Sequence, residues 1–212
     1  MKSLKQSKLF SPQNIFLFLF LVVSLLSALF PHFKLDLLIT EKIQSINSSL
    51  FQNMMWFVST VGNQPIMLFI VVFTSSLLYL FKYRTEAVIS SLAAAGSALS
   101  GSLLKILIDR PRPTGDLVNV SVWLSDKSYP SNHVLVFTVY FGFLLYLLFY
   151  QAKHRIRGLL PSIFLILLIA TIGFSRIYLG AHWASDVLGG YLLGTLWLIL
   201  AIKLYNSYHG KR

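Results

Sequence analysis

Three clusters of polar residues stand at the ends of apolar runs in this 212-residue chain. Lys105, Arg110 and Arg112 follow one run. Ser131, Asn132 and His133 open the next, and Ser175, Arg176, His182 and Asp186 bridge the last two. Ionisable groups at membrane depth are expensive, so their gathering at run ends marks a site. The chemistry it suits is that of an anion. Arg forks hold phosphate oxygens in pairs and Lys adds a point charge, so Lys105, Arg112 and Arg176 fit a dianionic or trianionic group. Ser131 and the backbone N–H groups opening the following helix add donors, because helix N-termini bind anions. His182 and Asp186 are spaced i, i+4, on one helix face. A carboxylate beside an imidazole fixes its tautomer and stabilises its charged form. That makes His182 a candidate nucleophile and leaves His133 a candidate proton donor to a leaving oxygen. Plainer readings stand beside these. A histidine at a span end serves as a polar anchor, and Arg112 between Pro111 and Pro113 as part of a rigid turn. A zinc site of His133, His182 and Asp186 is the competing chemistry, and the surrounding cations, which repel a metal, weigh against it.

The elements that must position these residues are membrane helices. The chain is 56% hydrophobic and 12% charged, where a soluble domain carries about 25% charged residues. So few charges cannot cover a water-facing surface, and so much apolar sequence does not stay disordered. Zero cysteines exclude a disulfide scaffold and thiol chemistry. Apolar runs fall at residues 14–30, 66–81, 87–108, 133–150, 159–178 and 184–205. The first covers about 25 Å as a helix, enough for a thin bilayer. Lys2, Lys5 and Lys8 precede it, as in a cleaved signal peptide. The run ends without a small-x-small cleavage site and more spans follow, so a retained helix is the reading. In the third run Ser90, Ala94, Ala98, Gly101 and Ser102 suit close helix packing. Between the first two runs Leu35, Ile39, Ile43, Ile46, Leu50, Met54 and Phe57 recur at steps of three or four. That pattern predicts an amphipathic helix lying in the membrane interface, a plain structural collar being the favoured role and a lipid entry gate the alternative.

The net charge of +11 points to anionic lipid head groups rather than nucleic acid, because no basic stripe stands apart from the spans. Six spans put both termini on one side. Eleven of the eighteen Lys and Arg residues and one acid fall on that side, against seven cations and six acids on the other. The positive-inside rule makes the first side cytoplasmic. The three polar clusters then share the outer face. The expectation is one all-α domain over residues 1–212, a six-transmembrane-helix bundle with an extracytoplasmic interfacial helix between the first two spans.

In combination the clusters resemble the type 2 phosphatidic acid phosphatase (PAP2) superfamily. Lys105 to Pro113 fits K-x6-R-P. Pro130, Ser131, Asn132 and His133 fit P-S-G-H, with Asn132 in place of Gly. Ser175, Arg176, His182 and Asp186 fit S-R-x5-H-x3-D. The resemblance covers roughly residues 60 to 200 and extends to the six-span layout of the integral membrane branch. It implies that His182 attacks phosphorus to form a phosphohistidine, that Asp186 orients it, and that His133 protonates the leaving group. It also implies that Lys105, Arg112, Ser131, Asn132 and Arg176 hold the phosphoryl oxygens, that water cleaves the phosphoenzyme, and that no metal or other cofactor takes part. Asn132 keeps its N–H and tolerates unusual φ, so the anion contact is expected to survive, with the side chain adding a donor or narrowing the pocket. Size and layout are similar to bacterial members acting on phosphatidylglycerophosphate, undecaprenyl pyrophosphate or phosphatidic acid, which implies a lipid phosphate substrate. Two other classes remain: a lipid phosphotransferase with a lipid acceptor, and a non-catalytic transporter or scaffold, which the presence of both His133 and His182 disfavours.

Overall fold

The structure is a computed structural model describing residues 11–151 and 158–209. The described residues form eight helices and no strand: α1 (Pro12–Leu29), α2 (Lys34–Gln44), α3 (Ser49–Val61), α4 (Gln64–Leu80), α5 (Arg84–Ile108), α6 (Asn132–Gln151), α7 (Leu159–Tyr178) and α8 (Ala184–His209). Five of them, α1, α5, α6, α7 and α8, are each long and apolar enough to cross a membrane. Helices α3 and α4 together make a sixth candidate, bent by 63°. The chain is therefore an all-helical, multi-pass membrane protein with the span order expected. Of the basic segments counted above, residues 1–10, 152–157 and 210–212 lie outside the described residues.

The single amphipathic helix expected over residues 35–57 is two helices. The apolar repeat runs through, but the backbone breaks at residues 45–48. Ser45 Oγ turns back to the carbonyl of Lys42 at 2.8 Å. Ser48 caps α3, its Oγ accepting the Phe51 amide at 3.4 Å. Hydroxyls offered to nearby backbone compete with helix continuation, which an apolar count does not register. The two pieces also do different work. Helix α2 packs on α7 and α8, while α3 lies against α7 with Met55, Val58 and Ser59 buried.

Helix α6 is apolar all round and sits in the centre, as such a helix must. It packs against α5, α7 and α8. One side carries Val134, Phe137, Tyr140 and Phe141 into a cluster with Leu165, Leu168 and Ile172 of α7. The other carries Leu135, Val139, Phe143 and Leu147 into a cluster with Ile89 and Ala93 of α5 and Ala201 and Tyr205 of α8. On α5 the small residues Ser90, Ala94 and Gly101 are buried and Ala98 is half-buried, while Ser102 is exposed, so the expected packing face takes in part of the set. Helices α1 and α4 instead leave Leu25, Leu29, Leu68, Phe69 and Leu80 exposed. Apolar residues in that density on outer helices suit a lipid environment.

Candidate active site

Four helix termini meet at one end of the bundle, the C-terminal ends of α5 and α7 and the N-terminal ends of α6 and α8. Each brings one of the polar clusters. Lys105 lies in the last turn of α5, which ends at Asp109 with φ of 52°. The segment after it carries Arg110 and Arg112 toward α8. Ser131 immediately precedes α6 and accepts the Leu135 amide on its carbonyl at 3.0 Å, so the first-turn amides of α6 face outward from the helix end. Arg176 is buried in the last turn of α7. The five residues between Arg176 and His182 are a tight reversal. The Arg176 carbonyl accepts the amides of Ala181 and His182 at 3.0 and 3.2 Å. Gly180 makes that reversal possible. Its φ is +66°, and a Cβ there would stand 2.1 Å from the carbonyl oxygen of Asn119.

The predicted residues are brought together. Arg112 Nη1 lies 3.2 Å from His182 Nε2. An arginine only donates, so Nε2 accepts and the ring proton sits on Nδ1. Nδ1 faces Asp186 Oδ2 at 3.7 Å. That is too long for a hydrogen bond. Burial, followed by the charges of Arg112, Lys105, Arg176 and His133, holds the His182 imidazole well below its usual range, so it is neutral. Ser131 is tied to the helix bearing Asp186, its amide donating to the Asp186 carbonyl at 3.1 Å. Several buried polar atoms here have no hydrogen-bond partner among the described residues: Ser131 Oγ, His133 Nε2, Arg176 Nε and Nη2, and His182 Nδ1. Helix α3 steadies the α7 end, with Arg176 Nη1 donating to Ser59 Oγ at 2.5 Å and Ser175 Oγ to the Met55 carbonyl at 2.6 Å.

The Asn132 side chain lies against α5. Its Nδ2 donates to Ser102 Oγ on α5 at 3.2 Å. A Cβ on Gly101 would come within 1.9 Å of Asn132 Oδ1. The amide is therefore laid over the bare backbone of Gly101. Among the described residues no three His, Asp or Glu side chains are grouped to hold a metal ion, the trio of His133, His182 and Asp186 included.

Sequence reading missed four residues. Arg110 stands in the first polar cluster with no role that its spacing assigns. It is 1% exposed and joins two buried acids, Asp36 at 2.9 Å and Asp186 at 2.5 Å. Asp36, from the amphipathic segment, also accepts the Ser185 amide at 2.8 Å. Ser128 donates to Asp186 Oδ2 at 2.5 Å. Asp126 pairs with both Lys105, at 3.0 Å, and Arg112, at 2.6 Å. Only Arg110 carried a signal, a second cation inside a span-end motif. Asp36 reads as a polar-face residue and Asp126 as an outer-loop acid until the fold brings them in.

Known proteins are similar to this chain in sequence and in fold. Phosphatidylglycerophosphatase B of Bacillus subtilis is 26% identical over 153 residues, 71% of this chain and 72% of that one. Undecaprenyl-diphosphatase of Sulfolobus acidocaldarius is 29% identical over 111 residues, 50% of this chain and 49% of that one. The crystal structure of the transmembrane PAP2-type phosphatidylglycerolphosphate phosphatase of Bacillus subtilis has the same fold, with a TM-score of 0.77 and 21% identity over 92% of this chain and 96% of that one. The family pattern of the PAP2 superfamily matches residues 86–209, which hold every one of the three polar clusters and the four helix ends that carry them. The chain belongs to the PAP2 superfamily.

Proposed function

We propose that the protein is a membrane lipid phosphatase that removes a terminal phosphoryl group, from a phosphomonoester or a pyrophosphate head group, at the outer membrane face through a phosphohistidine. The observation that carries this reading is the set of buried polar atoms without partners among the described residues, Ser131 Oγ, His133 Nε2 and Arg176 Nε and Nη2, beside the cations Lys105 and Arg112. Buried polar groups are normally satisfied, and a tetrahedral anion accepts from several donors at once. The relatives' names denote phosphatases of phosphatidylglycerophosphate and of undecaprenyl diphosphate, both lipids that end in phosphate.

In this mechanism Lys105, Arg112 and Arg176 neutralise the phosphoryl oxygens, with Ser131 Oγ and the amides of Asn132 and His133 as further donors. His182 attacks phosphorus with the Nε2 lone pair. The bond from phosphorus to the lipid-side oxygen breaks, and His133 gives that oxygen its proton. Asp186 faces the Nδ1 proton and stabilises the positive charge that the imidazole gains. Water then attacks the phosphohistidine, His133 takes its proton back, and orthophosphate leaves with His182 restored. The charge stabilisation comes from fixed cations. The test is phosphate release by the detergent-solubilised protein with chelator present, offered phosphatidylglycerophosphate, undecaprenyl pyrophosphate and phosphatidic acid in parallel. Release from at least one lipid should fall by about a thousandfold or more in His182→Ala, the scale of losing a nucleophile. Equal release by His182→Ala would remove the phosphohistidine, and release that needs added metal would remove the fixed-cation account.

A further inference from the structure

Arg112 has five N–H donors and all five are engaged within the protein. Nε donates to the Asp126 carbonyl at 2.7 Å. Nη1 donates to the Ala181 carbonyl at 2.5 Å and to His182 Nε2 at 3.2 Å. Nη2 donates to Asp126 Oδ1 at 2.6 Å and to the Lys127 carbonyl at 3.1 Å. Lys105 is held by the same segment, its Nζ donating to the Lys127 carbonyl and pairing with Asp126 Oδ2 at 3.0 Å. The Asp126 carboxylate thus bridges the two cations with one oxygen on each, the way two oxygens of a phosphoryl group would. An anion can reach Arg112 only if one of these partners lets go. Three are backbone carbonyls and one is the His182 ring. Only the Asp126 carboxylate carries charge, and its side chain is 55% exposed, so it can turn to water at small cost. Burial alone would raise the Asp126 carboxyl. Lys105 and Arg112 outweigh that and hold it below its usual range, so it is an ionised competitor at neutral pH.

We propose that Asp126 is an internal counter-anion that the terminal phosphate of the substrate displaces from Lys105 and Arg112, and that this exchange selects dianionic terminal phosphates over monoanionic phosphodiesters. The inference rests on the phosphate-site reading above. A dianion brings one charge more than the carboxylate it replaces. A diester brings no more charge, and its second ester oxygen has lost a negative acceptor. The same exchange turns Arg112 away from His182 Nε2, freeing the lone pair that attacks. Asp126 is thereby a specificity-determining residue, in a loop where the family motifs place nothing.

The test is binding of inorganic phosphate, methyl phosphate and dimethyl phosphate to the full-length detergent-solubilised protein, read as ligand-induced thermal shift. Asp126→Asn should bind inorganic and methyl phosphate about tenfold more tightly than wild type, the scale of one partly exposed charge-assisted contact. It should also acquire dimethyl phosphate binding, and Asp126→Glu should restore the wild-type order. Asp126→Ala, which removes the side-chain anion outright, should move the same way as Asp126→Asn. In turnover, KM for the lipid should fall in Asp126→Asn while kcat does not rise. Weaker or unchanged phosphate binding in both Asp126→Asn and Asp126→Ala would overturn the proposal, because Asp126 would then be organising the cations rather than competing for them. Absence of phosphate binding in every variant and in wild type would sink the phosphate-site reading itself, and this inference with it.

Discussion

Asp186 has two carboxylate oxygens and four suitors. Arg110 takes Oδ1 at 2.5 Å, and Ser128 Oγ and the Trp183 amide take Oδ2 at 2.5 and 2.9 Å. His182 Nδ1 comes last at 3.7 Å. The aspartate is thus fixed by its other partners, and its position is independent of the histidine it faces. Arg110 is in turn shared with Asp36, and all three are 2% exposed or less. Removing the middle of such a triad leaves two buried negative charges without a counter-ion, which is far costlier than removing an outer member. Arg110→Met should therefore lose roughly 3–5 kcal/mol of stability, the cost of breaking a buried ion pair by one partner. Adding Asp36→Asn to Arg110→Met should recover part of that loss, because one of the two orphaned charges is gone. Thermal unfolding in detergent of the two single variants and the double variant measures this coupling. Equal losses in Arg110→Met and in the double variant would show that Asp36 does not feel Arg110. The eight motif residues of the site were legible in the sequence through the combination of their types and spacings, since each alone has a plainer reading. Asp36 was not, since it reaches Arg110 across 74 residues of chain and is one acid among several on a polar helix face.

At the scale of elements, the site is made by helix ends and by the turns that join them. The spans were legible from apolar length alone, and residues 159–178 coincide with α7. The break at residues 45–48 was not, because it is set by hydroxyl-to-backbone bonds that leave the apolar period untouched. The turn from Arg176 to His182 is the most constrained of the joints. It must bring His182 back under the Arg176 carbonyl while α8 starts at Ala184. Gly180 supplies the left-handed step and also admits the Asn119 carbonyl where a side chain would stand. Gly180→Ala should therefore lose about 1–3 kcal/mol from the backbone conformation, with the clash added. The displaced His182 should lower kcat by about a hundredfold, the effect of an ångström-scale misplacement of a reacting group. The check is kcat with KM alongside a thermal midpoint. A variant that keeps both kcat and midpoint would show that the reversal tolerates a side chain.

The whole molecule sets which compartment the chemistry faces. All four helix ends of the site lie at one end of the bundle, and the end of α1 joins them, with Arg110 Nε donating to the Pro31 carbonyl at 3.1 Å and His32 lying against Trp183 at 5.3 Å between rings. The start of α1 and the end of α8 are then at the opposite end, where Gln13 Oε1 accepts from Lys203 Nζ at 2.6 Å. The excess of Lys and Arg belongs to that opposite end by sequence, and insertion keeps such segments in the cytoplasm. An outward site, as proposed above, would be reached by a phosphate head group displayed on the outer leaflet without a crossing of the bilayer. The chain has no cysteine, so single introduced thiols report position without background. Ser125 lies in an exposed part of the loop beside the site, and Ser207 is exposed near the end of α8. In intact cells a membrane-impermeant thiol reagent should label Ser125→Cys and spare Ser207→Cys, and lysis should make the second reactive. The reverse pattern would turn the protein over in the membrane. The site would then serve lipids of the inner leaflet, with the same residues and the same reaction.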